Sequence, residues 1–496
     1  MTESAHKVRT VAIIGAGPSG LAAAKYLLAE QCFEKIDIFE QRNRVGGVWN
    51  RSSAPDKAQV SVDVPQLNPH QQVEEPLWHP AGPSGLEDKQ GQEATFVSPL
   101  YNGLETNIPK TLMQFSDKPF AKDEQLFPRF ESVIKYLNEY GKEVRHLMQF
   151  HVQVLDVQRD ESVGQWSLSR KHLVTGRLET STYDAVVVAS GHYTVPYIPD
   201  FPGISAWNNA YPGIISHSKS YLSPDPFQDK KVIVIGNSAS GLDIGSQISK
   251  ACRFPLLASS RSESYFSAQP PSDRKACPQI VEFLSPSTHN RAVRFQNGDI
   301  EDNIDAIVFC TGYLYSYPFL RSLKPPVIDD GSRTLHVYQQ IFYIEHPTLA
   351  FPVLSQKVIP FPLAENQCAV LARVWSDRLE LPSKEEMYAW EDSEIAARGF
   401  GKPFHVLPFP LDANYLDLLY DWAAKAPSKH GLANGGNGKQ GIRWGEKERW
   451  IRDRFTLIRK TFASKGEDKH LYTSPEALGF DFELWKAEQG ENINKN

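Results

Sequence analysis

A glycine-rich turn near the start of the chain has the residue types and spacing of a dinucleotide-binding site. It follows an apolar strand at residues 10–14 and leads into a helix, so its backbone N–H groups would point at a pyrophosphate. Glu40 ends the next predicted strand, 20 residues after the last glycine of the turn, where a carboxylate would bind ribose hydroxyls. The pattern predicts an adenine-dinucleotide site of the FAD type. The residues assigned to it in this turn are Gly15, Gly17, Pro18, Ser19 and Gly20.

A second turn with the same strand–turn–helix context lies in the middle of the chain. Residues 236–241 repeat the motif with serine in place of the middle glycine. Arg261 stands 20 residues after this motif ends, at the position that Glu40 holds in the first unit. An arginine there, helped by the two preceding serines, accommodates the 2′-phosphate of NADPH, although a solvated loop cation is an alternative. The residues assigned to this site are Ser238, Ala239, Ser240, Gly241 and Arg261.

Two dinucleotide sites on one chain describe an electron path from NADPH to a flavin. The five cysteines are widely spaced and no C-x-x-C pair occurs, which excludes the disulfide reductases of this architecture and disfavours structural disulfides. No H-E-x-x-H or Cys/His spacing predicts a metal site. The electrons must therefore pass from the flavin to another acceptor.

Parallel sheets must position these two turns, because each strand–turn–helix unit is part of a βαβ fold. The sequence predicts an α/β protein with two Rossmann-like dinucleotide-binding domains and a helical C-terminal region. We place the larger FAD-binding domain at residues 1–222 and 305–496, with the smaller NADPH-binding domain inserted at 223–304. Residues 51–97 are rich in Pro, Gln, Ser and Gly, lack a sustained period, and are predicted to form a long surface insertion.

Apolar periodicity predicts the elements around these units. Residues 185–189 are typical of a buried strand, and residues 130–150 of a helix. Beyond residue 383 the chain is predicted to be mainly helical, with helices at 384–398 and 446–462. The Gly/Asn-rich loop at 431–441 is predicted to be mobile.

Composition excludes several classes of function. The 496 residues include 53 Lys and Arg against 59 Asp and Glu, a net charge of −6 with no basic excess for nucleic acid. The mean hydropathy is −0.40, and no apolar run is long enough to span a membrane. The first residues lack a secretory pattern and the last lack an anchor. We expect a cytoplasmic protein that binds neither nucleic acid nor membrane, and the sequence leaves a homodimer open.

Six segments together resemble the flavin-containing monooxygenases, of the yeast and fungal type, over nearly the whole chain. Residues 211–221 are similar to the family signature F-x-G-x-x-x-H-x-x-x-[FY], with Tyr211 in place of the leading Phe. The chain departs from the family pattern in its long insertion, and it lacks the hydrophobic C-terminal anchor of the animal enzymes. The other segments are 44–49 (G-G-x-W), 98–107 (the flavin-site Asn), 189–193 and 310–313 (ATG-like turns) and 361–367 (P-x-x-E-x-Q).

The resemblance implies FAD and NADPH as cofactors and dioxygen as a substrate. Reduced flavin would form a C4a-hydroperoxyflavin, which oxygenates a soft nucleophile, an amine nitrogen or a sulfur atom, of a small molecule. Asn107 is the catalytic candidate, because a neutral amide donates a hydrogen bond without protonating the intermediate, although it could also be a turn residue. Further cofactor contacts are assigned to Gly47, Val48, Trp49, Thr106 and Val154.

Several residues of these segments have two interpretations. Trp49 could pack beside the flavin or fill the core. His217 and Tyr221 of the signature are expected to organise the linker near the NADPH site. Glu365 and Gln367 could line the flavin pocket or pack a helix against its neighbours.

Two alternative functions stay open. A Baeyer–Villiger monooxygenase uses the same cofactors on ketones, but its signature ends in Trp or a related residue, which Tyr221 disfavours. A non-enzymatic sensor of the NADP redox state belongs to a different class, which the two intact fingerprints and Asn107 disfavour. The preference between nitrogen and sulfur is open as well.

Overall fold

The computed structural model describes residues 7–80, 92–261 and 273–493; residues 81–91 of the predicted insertion lie outside this part. Before residue 222 the elements are β1 (Thr10–Ile14), α1 (Pro18–Ala29), β2 (Lys35–Phe39), α2 (Ala54–Ala58), β3 (Leu77–Pro80), β4 (Gln92–Thr95), α3 (Lys110–Met113), α4 (Phe130–Tyr140), β5 (Met148–Gln149), β6 (Val152–Asp160), β7 (Gln165–His172), β8 (Leu178–Tyr183), β9 (Ala185–Val188), β10 (Val195–Pro196), α5 (Ile204–Ala210) and β11 (Ile215–His217). The middle segment contains β12 (Val232–Ile235), α6 (Ala239–Ile248), β13 (Leu256–Ser259), β14 (Arg274–Cys277), β15 (Ile280–Phe283), β16 (Val293–Phe295) and β17 (Ile300–Glu301). The last segment contains β18 (Ala306–Phe309), β19 (Tyr313–Leu314), β20 (Val337–Tyr338), β21 (Phe342–Tyr343), β22 (Leu349–Ala350), α7 (Pro360–Trp375), α8 (Lys384–Arg398), α9 (Leu411–Ala424), α10 (Glu446–Ala463) and α11 (Phe482–Ile493). Short 3₁₀ helices lie at Gly47–Trp49, Gly141–Leu147, Asp225–Phe227, Pro318–Leu320, Lys402–His405, Gly466–Leu471 and Glu476–Leu478.

The larger sheet is the framework of the FAD-binding domain. Its strands run in the order β20-β21-β22-β9-β1-β2-β5. The pairings from β22 through β9, β1 and β2 to β5 are parallel, whereas β20 and β21, and β21 and β22, pair antiparallel. The apolar runs of β1 and β9 are buried because helices cover the sheet, and α1 packs against α7 there. Both parts of the predicted FAD domain supply strands to this sheet, and the predicted α/β class is confirmed.

The smaller sheet carries the second glycine turn. Its order is β11-β18-β12-β13-β14, and all of its pairings are parallel. Ile235 at the end of β12 is in register with Ser259 on one side and Phe309 on the other. The carboxyl ends of these strands therefore meet at one edge. Because β11 and β18 belong to this sheet, it extends beyond the predicted limits of residues 223–304.

The C-terminal region is helical, as the sequence predicts. Helix α8 covers residues 384–398 and α10 covers 446–463, close to the predicted bounds. The helix predicted over 130–150 ends at Tyr140, and a 3₁₀ helix continues it to Leu147. Helix α7 is buried along nearly its whole length, so its sequence lacks the exposed polar face from which an amphipathic helix is predicted.

The Gly/Asn-rich loop at 431–441, predicted to be mobile, is anchored by two buried arginines. Arg373 donates to the carbonyl oxygens of Asn437 at 2.9 Å and Lys439 at 3.0 Å. Arg378 donates to Gly436 and is paired with buried Glu30 at 2.9 Å. Charged donors hold this loop against α7 in spite of its composition.

The described residues contain neither a membrane-spanning helix nor a metal cluster. In residues 7–80, 92–261 and 273–493, no helix is long and apolar enough to cross a membrane. Within the same ranges, no three His, Cys, Asp or Glu side chains are grouped as a metal site.

Candidate active site

The first glycine turn is shaped for close approach of its backbone to a ligand and to α1. Gly15 has a φ of 104°, and a Cβ there would lie 2.6 Å from the carbonyl oxygen of Ala189. A Cβ on Gly20 would lie 1.9 Å from the carbonyl oxygen of Gly15, so Gly20 allows the helix to pack behind the turn. Helix α1 begins at Pro18 without a side-chain cap, which leaves its first N–H groups available to a phosphate.

Glu40 lies at the end of β2, where it is 3% exposed. Its Oε2 accepts a hydrogen bond from the backbone N–H of Ala16, and its Oε1 accepts one from Arg42, both at 2.9 Å. A carboxylate has about four acceptor positions, so it can also receive ribose hydroxyls. Glu40 therefore joins the glycine turn to the predicted ribose position.

A cavity of about 680 Å³ opens beside this turn. Each residue assigned to the FAD site lines it except Gly20, which lies behind the turn. The cavity fits an adenine dinucleotide, because its wall combines a glycine turn for the pyrophosphate with a buried carboxylate for the ribose. The assigned residues in its wall are Gly15, Gly17, Pro18, Ser19, Glu40, Gly47, Val48, Trp49, Thr106, Asn107 and Val154.

Asn107 lines this cavity on an exposed turn. Thr106 is buried and fixes the turn, since its N–H donates to Pro128 at 2.9 Å and its hydroxyl donates to Ile108 at 2.9 Å. Asn107 itself is exposed, and its amide has no hydrogen-bond partner among the described residues. A free amide on a held turn is the arrangement that donation to a bound ligand requires.

The second glycine turn repeats the geometry of the first. Gly236 has a φ of 115°, and a Cβ there would lie 2.5 Å from the carbonyl oxygen of Cys310. A Cβ on Gly241 would lie 2.0 Å from the carbonyl oxygen of Gly236. Helix α6 begins at Ala239 without a side-chain cap from Ser238, so it too offers free N–H groups. The turn suits a second pyrophosphate.

Arg261 lies beyond the carboxyl ends of the strands of the smaller sheet. It follows the end of β13 by two residues, is exposed, and forms no ion pair with the described residues. Ser259, predicted to help it, is 1% exposed and donates to the carbonyl oxygen of Pro278 at 2.8 Å. Its hydroxyl is therefore turned into the protein. The residues assigned to NADPH do not line the 680 Å³ cavity but lie on the neighbouring domain.

His217 and Tyr221 organise the linker between the sheets. Buried His217 donates from Nε2 to the carbonyl oxygen of Gly312 at 3.0 Å, while its Nδ1 accepts from the N–H of Lys219 at 3.1 Å. Burial lowers the pKa of His217 to about 4, so the ring is neutral at pH 7. Tyr221 donates to Gln247 on α6 at 2.9 Å. These contacts support the linker interpretation.

The predicted surface insertion forms a wall of the cavity. Residues 61–63 and 71–74 line it, and the segment is hydrogen-bonded to residues far away in the sequence. The N–H of Gln66 donates to Ile198 at 2.9 Å, and Gln153 donates to the carbonyl oxygen of Glu74 at 2.6 Å. Valines alternate at positions 60, 62 and 64, and Val62 and Val64 pack on the NADPH-domain core. This alternation is the one feature of the sequence that could have predicted that the insertion is partly buried.

Glu365 and Gln367 both lie behind the cavity wall. Gln367 accepts a hydrogen bond from the N–H of Val353, a wall residue, at 2.7 Å. Glu365 is fully buried and accepts from Ser116, at 2.6 Å from its N–H and 2.9 Å from its hydroxyl. Burial raises the pKa of Glu365 to about 7, against the opposing hydrogen bonds from Ser116. Both residues are packing residues of α7.

Glu365→Gln is expected to stabilise the protein at pH 8 but not at pH 5. The pKa of Glu365 rises from 4.5 to about 7 on folding, so the folded state loses stability as the pH increases through that interval. Above pH 7 the buried carboxylate costs on the order of 2–3 kcal/mol, which a neutral amide avoids. Denaturant unfolding of both proteins at the two pH values measures the difference.

Glu105→Gln is the control, because its expected change in stability at pH 8 has the opposite sign. Glu105 is also buried, but Lys469 at 2.9 Å and Arg459 at 3.2 Å contact its carboxylate. Burial would raise the pKa of Glu105, yet these two cations outweigh it and lower the pKa. This variant should lose stability at pH 8. Equal behaviour of the two variants would contradict a raised pKa of Glu365.

Two family models match this chain. A model described as flavin-binding monooxygenase-like matches residues 86–269 and 278–408. A second model, described as an NAD(P)-binding Rossmann-like domain, matches residues 13–78. Together they support FAD and NADPH as the cofactors, in agreement with the two glycine turns.

Individual proteins match over most of their length. The flavin-containing monooxygenase FMO GS-OX-like 4 of Arabidopsis thaliana is 32% identical, over 76% of this chain and 78% of its own. The thiol-specific monooxygenase of Saccharomyces cerevisiae is 30% identical, over 75% of this chain and 78% of its own. The solved structure of S-allyl-L-cysteine S-oxygenase from Allium sativum superposes with a TM-score of 0.73 and 27% identity, covering 98% of this chain and 99% of that one.

Proposed function

Because the chain belongs to the flavin-containing monooxygenase family, we propose that it transfers one atom of dioxygen to a soft nucleophile, an amine nitrogen or a sulfur atom, of a small molecule. The observation that carries this proposal is the 680 Å³ cavity, which is lined by the first glycine turn, Glu40 and Asn107. Bound FAD would supply the redox and oxygen chemistry. NADPH supplies the hydride.

The residues of this chain would bind the cofactor, orient it and exclude water. The N-terminus of α1 and Glu40 hold the pyrophosphate and ribose ends. Asn107 donates a hydrogen bond where charge develops during oxygen transfer, and its neutral amide gives up no proton. The 61–74 wall limits entry of bulk water to the cavity, which would otherwise favour release of hydrogen peroxide.

Sulfur compounds are the first substrate class to test. Two of the matched proteins are named for sulfur substrates, a thiol-specific monooxygenase and an S-allyl-L-cysteine S-oxygenase. For a thioether the reaction balances as thioether, dioxygen, NADPH and a proton giving sulfoxide, water and NADP⁺. Amines and hydroxylamines form the second class.

A substrate screen tests the proposal. The purified protein should be yellow and release FAD, not FMN, on denaturation, because the adenine site requires the dinucleotide. NADPH oxidation should accelerate with a thioether, thiol or amine, and mass spectrometry should find the product 16 mass units heavier. An ester or lactone from a ketone would instead indicate Baeyer–Villiger chemistry. NADPH oxidation that yields only hydrogen peroxide with each class would contradict oxygenation and favour the sensor alternative.

A further inference from the structure

Lys57 is a buried lysine in helix α2, within the predicted insertion. The proposed function does not explain why a lysine is buried there. Its side chain is 4% exposed. Its Nζ donates to the carbonyl oxygens of Ser98 and Lys219, each at 2.5 Å. Both acceptors are neutral backbone groups. The ammonium therefore forms hydrogen bonds without a carboxylate in direct contact.

The two residues that Lys57 contacts are part of the wall of the flavin cavity. Ser98 and Lys219 both line the cavity, and Ser98 donates from its hydroxyl to the carbonyl oxygen of Val48, another wall residue. Lys219 directs its own Nζ to the carbonyl oxygen of Thr194 at 2.7 Å. Lys57 thus lies directly behind the part of the wall formed by Ser98, Lys219 and Val48.

The nearby acids do not neutralise Lys57. Glu74 lies 3.6 Å from the Nζ of Lys219 and so offsets that second ammonium. The Oδ2 of Asp56 accepts from the N–H of Ser53 at 2.9 Å. Its Oδ1 accepts from the hydroxyl of Thr95 at 3.4 Å and contacts His79, so both oxygens have partners other than Lys57. Burial, and next the charge of Lys219, lower the pKa of Lys57 to about 7, while Asp56 opposes them.

A buried charge is costly unless an opposite charge accompanies it. We propose that Lys57 is an electrostatic residue of the flavin cavity, whose ammonium stabilises the negative charge that hydride transfer adds to bound FAD. A hydride brings one proton and two electrons, so FAD gains one negative charge as NADPH becomes NADP⁺. Attraction across the wall is strong because the cavity has a lower dielectric than water. This inference rests on the proposed flavin chemistry.

The midpoint potential of the bound flavin tests the proposal without substrate or turnover. Lys57→Gln keeps hydrogen-bond donors near the two carbonyls and removes the charge, whereas Lys57→Met removes both. Each variant should reduce the equilibrium constant for two-electron reduction, measured against a reference dye, by about tenfold, which corresponds to about 30 mV lower potential. Lys57→Arg should restore most of the shift.

Lys110→Met is the matched control. Lys110 is likewise buried and donates to the backbone carbonyls of Ala121 at 2.9 Å and Lys122 at 3.0 Å, but these two acceptors, unlike Ser98 and Lys219, do not line the cavity. Its replacement should leave the flavin potential unchanged.

Each outcome decides one question. A wild-type potential in folded Lys57→Gln, whether or not Lys57→Met folds, would overturn the electrostatic role and leave Lys57 as a structural clamp. An equal shift in Lys110→Met would overturn it as well, because buried lysines in general would then be responsible. A protein that holds no flavin would contradict the proposed function instead.

Discussion

Asn107→Ala is expected to separate NADPH oxidation from product formation. Hydride transfer needs the geometry of the two dinucleotide sites, and among the described residues no hydrogen bond joins Asn107 to either glycine turn. Oxygen transfer needs a preorganised donor where charge develops, and loss of one such donor costs about 2.7–4 kcal/mol. Anaerobic reduction by NADPH should therefore stay near the wild-type rate. Oxygenation relative to peroxide release should fall by roughly 10²–10³-fold.

Product, hydrogen peroxide and NADPH consumed are measured together in this experiment. The matched control is Asn102→Ala on the same segment, because the buried Oδ1 of Asn102 has no partner in the part of the chain that the structure describes, and the residue does not line the cavity. Asn102→Ala should keep the wild-type ratio of product to NADPH. An unchanged ratio in Asn107→Ala would reduce Asn107 to a turn residue and remove the catalytic assignment.

Arg261→Ala is expected to remove the preference for NADPH over NADH. A hydrogen bond between charged groups contributes about 1.5–3 kcal/mol, which is roughly ten- to a hundredfold in affinity. The Michaelis constant for NADPH should rise by that factor, while that for NADH, which lacks the 2′-phosphate, should change little. Binding of adenosine 2′,5′-bisphosphate should weaken in parallel, independently of any oxygenation.

Arg253→Ala is the control for this change. Arg253 precedes β13, at the opposite end of the strand from Arg261, and lies 3.9 Å from Asp305. Its loss should leave both Michaelis constants unchanged. An equal rise for NADPH and NADH in Arg261→Ala would show that Arg261 is a loop cation that does not read the phosphate.

Local features of this protein were predictable from the sequence. The βαβ unit itself sets the spacing between each glycine turn and the residue at the end of the next strand, which is Glu40 in the first unit and Arg261 in the second. Each pattern and its chemistry are therefore encoded within about fifty residues. Helices α8 and α10 were predictable for the same reason, since each has an amphipathic face within one segment. The class of fold and the two kinds of dinucleotide follow from these local patterns.

Only the tertiary structure decided which distant segments share the cavity. The insertion had no period beyond its valines, yet its residues 61–74 form a wall because they bond to strands and linkers far away in the sequence. Lys57 donates to Ser98 and Lys219, and the hydroxyl of Ser259 points away from the predicted position of the 2′-phosphate. The spacing of residues along the sequence does not encode these contacts. Glu365 lies behind the wall because α7 is covered on every side. The physical reason is the same throughout: a strand–turn–helix motif is determined by its own backbone, whereas a cavity wall is determined by long-range packing.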